Sequence, residues 1–170
     1  MSIESTSVST FMTKNVKTET EDQTIQSACR SMHQYDIGSI VIVKRDTSND
    51  YKPTGIITER DVVRIVGSLD QSLLKQPLRE LMSKPLVTIT PNNSLKDALQ
   101  IMQQKKIRRL IIVENEIAVG IITTKDLFNV IMNNQNLMPS LLNEKVLVGQ
   151  KSPMHDQFGQ YWFSDIFPIR

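Results

Sequence analysis

The 170-residue sequence has little of the chemistry that most enzymes and metal sites need. It contains one cysteine, Cys29, and two histidines, His33 and His155. A single cysteine excludes a disulfide within the chain and a zinc site built from several thiolates. No G-x-x-x-x-G-K-[ST] phosphate-binding loop occurs, and neither histidine has a histidine equivalent in the internal repeat of the chain. We therefore expect no catalytic residues, no metal site and no enzymatic activity.

The sequence also lacks a long apolar run and a strong excess of one charge. No stretch approaches the roughly 20 apolar residues that a membrane helix requires, and residues 1–7 lack the features of a secretion signal. A cytoplasmic protein is expected. The net charge is only +2, which argues against a protein whose whole surface binds nucleic acid. A local basic patch keeps a nucleic-acid-binding function open as an alternative: Lys105, Lys106, Arg108 and Arg109.

What the sequence does contain is an internal repeat. Residues 55–61 read GIITERD, and residues 120–126 read GIITTKD. When Val8 is aligned with Leu78, no gap is needed as far as the first long apolar run, and the alignment pairs Phe11 with Leu81, Met12 with Met82, Thr18 with Thr88, Ala28 with Ala98, Met32 with Met102 and residues 40–43 with 110–113. Such a repeat indicates two copies of one structural unit.

The repeat predicts where the units begin and end. We expect a disordered N-terminus over residues 1–7, a first unit over 8–67, a connector over 68–77, a second unit over 78–132 and a C-terminal extension over 133–170. In each unit, helix-spaced apolar residues alternate with continuous apolar runs typical of strands covered on both faces. The helix after Thr58 should bury its apolar side: Val62, Val63, Ile65 and Val66.

A threonine followed three residues later by an aspartate ends each GIIT run. Thr58 precedes Asp61 in the first unit, and Thr123 precedes Asp126 in the second. One interpretation is a capping box, in which the two side chains satisfy the first turn of a helix. The other is a ligand contact, because a carboxylate has only acceptor oxygens at neutral pH and suits the paired hydroxyls of a sugar.

Together these motifs resemble the cystathionine β-synthase (CBS) domain family, in which two units pair to form a Bateman module. The resemblance covers roughly residues 8–132 and includes the doubled G-h-h-T-x-x-D signature, the apolar-x-Thr pieces at 16–18 and 86–88, and the IRRL segment at 107–110. It implies an α+β fold, with two β-α-β-β-α repeats related by a pseudo-twofold axis. It also implies two clefts that bind AMP, ADP, ATP or S-adenosylmethionine, with no required cofactor.

The resemblance assigns residues from both repeats to each cleft. Those expected in the first cleft are Thr58, Asp61, Leu86, Val87, Thr88, Arg108, Arg109 and Lys125. Those expected in the second cleft are Val16, Lys17, Thr18, Gly38, Ser39, Arg60, Thr123 and Asp126. Because an arginine fork fits a phosphate edge, the first cleft should prefer a phosphorylated nucleotide. The second should bind more weakly or accept a less charged adenosyl ligand.

These expectations combine into a regulatory adenine-nucleotide sensor that forms a homodimer and acts on a partner protein through its ligand-dependent conformation. A CBS scaffold that binds no ligand is the remaining alternative. The C-terminal extension lies outside the resemblance but carries most of the aromatic residues: Phe158, Tyr161, Trp162, Phe163 and Phe167. Such a segment is expected to pack on the globule, across a dimer or on a partner.

Overall fold

The computed structural model of the protein describes residues 3–45 and 50–133. It contains two α+β units, each with the order strand, helix, strand, strand, helix. The elements of the first unit are β1 (Thr18–Thr20), α1 (Ile25–Tyr35), β2 (Ser39–Arg45), β3 (Tyr51–Thr58) and α2 (Glu59–Gly67). A 3-10 helix (Gln71–Lys75) and the short helix α3 (Leu78–Leu81) follow. The elements of the second unit are β4 (Thr88–Ile89), α4 (Leu95–Lys105), β5 (Arg109–Glu114), β6 (Ile117–Thr123) and α5 (Thr124–Asn133).

Each unit contains a three-stranded sheet with its longest apolar run in the centre. In the first sheet, β2 pairs in parallel with β1 and antiparallel with β3, and β5 occupies the same position between β4 and β6. Both antiparallel pairs shift register at equivalent places, between Ile42 and Val43 and between Ile112 and Val113. The repeat in the sequence is therefore also a repeat in backbone irregularity.

The longer helices begin where polar side chains cap them. The Thr24 side chain accepts a hydrogen bond from the backbone of Ser27 at the start of α1, and Ser94 forms a capping box with Asp97 at the start of α4. Ala28 and Ala98 are completely buried at equivalent positions on these helices. Because each helix presents one apolar face to its own sheet, both units fold around a separate core.

The segment that precedes each unit packs on the core of the other unit. Val8 is completely buried in the second core, and Leu78 is completely buried in the first. Backbone hydrogen bonds reinforce this exchange, since Val8 N–H donates to Asn93 O at 2.9 Å and Leu78 N–H donates to Gln23 O at 2.8 Å. Each unit is too small to be more than marginally stable alone, so the exchanged segments join two small cores into one structure.

This exchange corrects the prediction of a disordered N-terminus for residues 3–7. Ile3 is completely buried in the second core, and its carbonyl accepts a hydrogen bond from Lys96 N–H at 3.2 Å. Thr6 is also buried, and its carbonyl accepts from Leu95 N–H. The Ser- and Thr-rich composition indicated disorder, but one isoleucine provides the apolar contact that orders the segment.

Two further expectations concern apolar side chains. Val63 and Val66, predicted to lie on the buried side of α2, are 71% and 58% exposed, whereas Ile65 is buried. The apolar stripe of α2 is therefore wider than the face that its own unit covers. The aromatic residues of the C-terminal extension and His155 lie outside the described residues. None of the described helices has the length and apolar character needed to cross a bilayer.

Candidate functional site

Thr58 and Asp61 lie where β3 ends and α2 begins. They form a complete capping box: Asp61 N–H donates to Thr58 Oγ1 at 3.4 Å, and Thr58 N–H donates to Asp61 Oδ2 at 2.9 Å. The Thr58 hydroxyl also donates to Asp61 Oδ2 at 2.7 Å. Asp61 is only 7% exposed and, with Thr6, is one of two buried polar residues in the described chain. The capping interpretation of this pair is confirmed, and the carboxylate is held in one orientation.

The second oxygen of the Asp61 carboxylate has weaker partners. Arg64 Nη2 donates to Oδ1 at 3.1 Å from a side chain that is 69% exposed, and the Ser83 hydroxyl lies 3.5 Å from the same oxygen. The first contact costs a long side chain its rotamer freedom, and the second is at the limit of hydrogen-bonding distance. Oδ2 is therefore committed to the helix cap, whereas Oδ1 can accept a different donor.

The first cleft is a cavity of about 230 Å³ between the two units, and Asp61 is part of its wall. Four cationic side chains line it, and they outnumber the single carboxylate: Arg60, Lys106, Arg108 and Arg109. The remaining lining side chains are mostly apolar: Ile56, Pro85, Leu86, Val87, Ile107 and Ile111, with Thr58 and Ser83. The cleft thus combines an apolar wall, a carboxylate and a concentration of positive charge.

Arg109 connects the first cleft to the other unit. Its Nη1 donates to the carbonyl oxygen of Gly38 at 3.0 Å, while its Nε is buried and makes no hydrogen bond with any described residue. Burial is the main cause that lowers the pKa of the Arg109 guanidinium; Arg108 adds to the shift, and Glu59 and Asp61 oppose it. An arginine nevertheless stays charged at neutral pH, so a partly buried cation with an unused donor faces the cleft.

Gly38 has no side chain where Arg109 and Glu59 approach it. A Cβ at this position would lie 2.7 Å from Glu59 Oε2 and 3.6 Å from Arg109 Nη2. The Gly38 carbonyl also accepts a hydrogen bond from Glu59 N–H at 3.2 Å. The equivalent bond in the second unit runs from Thr124 N–H to Arg108 O at 2.9 Å. The two units thus have the same backbone geometry at this point but very different side chains.

Thr123 and Asp126 repeat the first pair at the start of α5. Thr123 N–H donates to Asp126 Oδ2 at 2.8 Å, and the Thr123 hydroxyl donates to the same oxygen at 2.7 Å. Within the described residues, Asp126 Oδ1 accepts no hydrogen bond, unlike Asp61 Oδ1. The second carboxylate is therefore capped in the same way and has one unused oxygen.

The structure gathers most, but not all, of the residues predicted for the first cleft. Thr58, Asp61, Leu86, Val87, Arg108 and Arg109 line the cavity, whereas Thr88 and Lys125 do not. Arg60, predicted for the second cleft, lines the first instead. Lys106 also lines it, although the sequence predicts only a helix end there. Its position immediately before the IRRL segment was the signal that could have identified it.

The residues predicted for the second cleft do not all line one cavity, unlike most of those predicted for the first. Val16 packs with Ile121 in a small cluster between the units, and the backbone of Thr13 pairs with Ile121, close to Thr123. Lys17 Nζ lies 4.0 Å from the centroid of the Tyr35 ring, in a cation–π contact. Thr18 lines a different, polar cavity together with Glu19, Thr20, Gln23, Val43 and Tyr51. Lys17 therefore already has a contact of its own, Thr18 faces a different cavity, and Ser39 pairs with Thr58 across the first sheet.

No group of three or more histidine, cysteine or acidic side chains in residues 3–45 and 50–133 could hold a metal ion. A family model for the CBS domain matches residues 8–68 and, a second time, residues 78–133. The chain belongs to the CBS domain family. CBS domains are generally regulatory, ligand-sensing modules, and stand-alone proteins of this family are regulatory rather than catalytic.

Similar proteins occur in bacteria and archaea. The chain is 36% identical over 137 residues to the CBS domain-containing protein YhcV of Bacillus subtilis. The alignment covers 81% of this chain and 94% of that protein. The crystal structure of a CBS-domain containing protein from Agrobacterium tumefaciens matches with a TM-score of 0.58 at 30% identity, covering 68% of this chain and 84% of that one. The α+β fold with paired CBS repeats is therefore confirmed.

An enzyme also contains the same pair of repeats. The chain is 31% identical over 115 residues to an inosine-5'-monophosphate dehydrogenase of Methanocaldococcus jannaschii. The match covers 67% of this chain but only 21% of the dehydrogenase. In that protein the CBS repeats are therefore a minor part of a much longer chain.

Proposed function

We propose that the protein is an adenine-nucleotide sensor whose first cleft binds AMP, ADP, ATP or S-adenosylmethionine. The observation that carries this proposal is the composition of one cavity, where a capped, buried carboxylate and apolar side chains lie beside four cations. An adenine nucleotide has three parts with matching needs: a base whose ring faces pack on apolar surface, a sugar with neighbouring hydroxyls, and charged phosphate groups. Specific ligand sites commonly combine a mostly apolar wall with a few convergent polar groups in this way.

Each part of the ligand is assigned to a different part of the cleft. Leu86, Val87 and Ile111 offer apolar surface to the base. Asp61 Oδ1 accepts hydrogen bonds from the ribose hydroxyls, in exchange for its contacts with Arg64 at 3.1 Å and Ser83 at 3.5 Å. Binding of the sugar therefore does not require the helix cap on Oδ2 to open, and α2 stays intact.

The second cleft is proposed to bind a less charged adenosyl ligand around Asp126. Its carboxylate has the same cap as Asp61 and an unused Oδ1 among the described residues. Gly38 and Ser39 occupy the positions that Arg108 and Arg109 hold in the other repeat, so the second cleft lacks two of the cations of the first. A phosphate would gain less there.

The output of the sensor is proposed to be a change in shape that a partner protein recognises, with the sensor itself a homodimer. The exposed apolar side chains on α2 and just after it support this assembly, since Val63, Val66 and Leu69 are 71%, 58% and 88% exposed. A neighbouring group of large apolar side chains on a protein surface commonly marks an interface with another chain.

A thermal-shift screen against AMP, ADP, ATP, S-adenosylmethionine and NAD tests the proposal directly. A ligand that binds only the folded state must raise the melting temperature by mass action. At a ligand concentration a hundred times Kd, the free energy of unfolding increases by about 2.7 kcal/mol. The shift should be smaller in Asp61→Ala and absent in the Asp61→Ala/Asp126→Ala double variant. A melt that none of the five compounds moves would contradict the proposal.

One observation favours a second candidate, a scaffold that binds no ligand. Both aspartates complete a helix cap, and the cap alone accounts for their positions. An unchanged melt, together with a stable dimer in solution, would favour the scaffold.

A further inference from the structure

The charge at the mouth of the first cleft is larger than one phosphate requires. Among the four lining cations, Arg109 is partly buried and donates to Gly38 O. The other three, Arg60, Lys106 and Arg108, are exposed, and within the described residues none of them forms an ion pair with a carboxylate. The charge of Asp61 is already matched by Arg64. Three like charges thus face the same opening without compensation.

The size of the cavity indicates where a bound phosphate chain would lie. Its volume of about 230 Å³ lies below the range of roughly 300–1,000 Å³ typical of sites that enclose a whole drug-sized ligand. A base and a sugar held against the apolar wall and Asp61 therefore leave the phosphates outside the enclosed space. The side chains at the mouth that can meet them are the three exposed cations.

Lys106 is the cation whose equivalent in the other repeat has the opposite charge. Lys106 is the C-cap of α4 with φ 53° and ψ 41°, and Asp36 is the C-cap of α1 with φ 51° and ψ 52°. The cap N–H of Lys106 donates to the carbonyls of Gln103 and Met102, and that of Asp36 donates to His33 and Met32, which are the equivalent residues. The backbone at these two positions is the same, so the two repeats differ here only in the side chain, whose charge is reversed.

The left-handed backbone conformation of Lys106 is unfavourable for a lysine. Asparagine and aspartate adopt positive φ several times more readily than other non-glycine residues, so Asp36 suits its position and Lys106 does not. The left-handed backbone therefore does not explain a lysine at this site, although a positive charge is favourable at a helix C-terminus. Its side chain lines the cleft instead.

We infer that Lys106 sets the ligand selectivity of the first cleft, so that it favours adenosine di- and triphosphates over the monophosphate, whereas the second cleft, with Asp36 at the equivalent position, disfavours them. This inference rests on the proposed function and specifies its ligand class. Each added phosphate brings further negative charge to the three exposed cations. Asp36 would repel the same charge.

The test compares two neighbouring lysines. Lys106→Asn removes one charge and leaves a residue that accepts the left-handed backbone; Lys105→Asn removes the same charge one residue earlier, at an exposed position that does not line the cavity. Affinities for AMP, ADP and ATP are measured by titration calorimetry at constant ionic strength without divalent cations. Because an exposed ion pair contributes up to about 1 kcal/mol, Lys106→Asn should weaken ATP binding about fivefold and AMP binding less than about twofold. Lys105→Asn should leave the preference for ATP over AMP unchanged.

Several outcomes would overturn the inference. If the wild-type protein binds AMP as tightly as ATP, the selectivity is wrong while the nucleotide-sensor function stands. Equal losses for AMP and ATP in Lys106→Asn would mean that the lysine contacts a part that both ligands share. If Lys105→Asn weakens ATP binding as much as Lys106→Asn does, the loss of affinity reflects the net charge of the protein and not a contact of Lys106. Binding of none of the three nucleotides would refute the sensor function itself, and the selectivity with it.

Discussion

Replacing Asp61 separates its two roles, because the chain provides a matched control. Asp61 and Asp97 are both the third residue of a helix, both complete a capping box, and both accept a backbone N–H at 2.9 Å. Asp61 lines the first cleft, whereas Asp97 does not. Asp61→Ala should therefore lose a helix cap and a ligand contact, while Asp97→Ala should lose a cap alone.

The stability change should be similar in kind for the two variants but larger for Asp61→Ala. Losing a capping side chain costs about 0.5–2 kcal/mol, and we expect about 1 kcal/mol for Asp97→Ala. Asp61 is more deeply buried and also accepts the Thr58 hydroxyl, so its replacement should cost about 2 kcal/mol. Urea denaturation monitored by circular dichroism measures both values.

The affinity change should distinguish the variants completely. One to two hydrogen bonds from a ribose to a charged acceptor contribute about 1.5–3 kcal/mol each, so Asp61→Ala should weaken nucleotide binding roughly a hundredfold. Asp97→Ala should bind as the wild type does, with its lower melting temperature as the only change. If calorimetry instead gives unchanged affinity in both variants, Asp61 is a helix cap and nothing more, and the assignment of the ribose to this residue fails.

Three other predictions concern the architecture. Val8→Ala should destabilise the protein by about 1–3 kcal/mol in chemical denaturation, because Val8 is completely buried in the core of the unit to which it does not belong in sequence; a loss below about 0.5 kcal/mol would mean that the exchanged segment is dispensable. Gly120→Ala should cost about 1–3 kcal/mol because its Cβ would collide with the Met12 side chain, and a double-mutant cycle with Met12→Ala should recover part of this loss; strictly additive effects would argue against the contact. Val66→Asp should convert the proposed dimer to a monomer in light scattering, whereas Gln104→Asp, at an exposed position on α4, should leave it dimeric; a dimer in both variants would exclude this part of α2 from the interface.

The sequence was sufficient for the fold because the repeat and the apolar pattern support each other. The runs at 40–43 and 110–113 became the central strands, and Thr24, Thr58 and Ser94 each begin a helix as their capping side chains predicted. Helix capping and strand burial depend on residues that are close together in the chain, so the pattern of the sequence predicts both.

The sequence was insufficient where the answer depended on which unit covers which surface. The apolar residues Val8 and Leu78 indicated burial but gave no sign that each lies in the core of the other unit. Similarly, Arg60 follows Thr58 in the first turn of α2, and only the direction of its side chain decides which cleft it lines. A long side chain at the start of a helix can extend toward either cleft, so the cleft that Arg60 lines could be assigned only from the structure.

Because the leading segments are exchanged, the two units formed by residues 3–45 and 50–133 cannot separate unless both segments first leave the core of the other unit. Residues 3–13 lie on the second unit and residues 77–83 lie on the first. The segment that leads into each unit is therefore bound to the other unit. A protease that nicks the stretch between Ser68 and Gln76 would therefore produce two fragments that stay clasped. Denaturant should release them, and so should dilution far below the dissociation constant of the fragment complex.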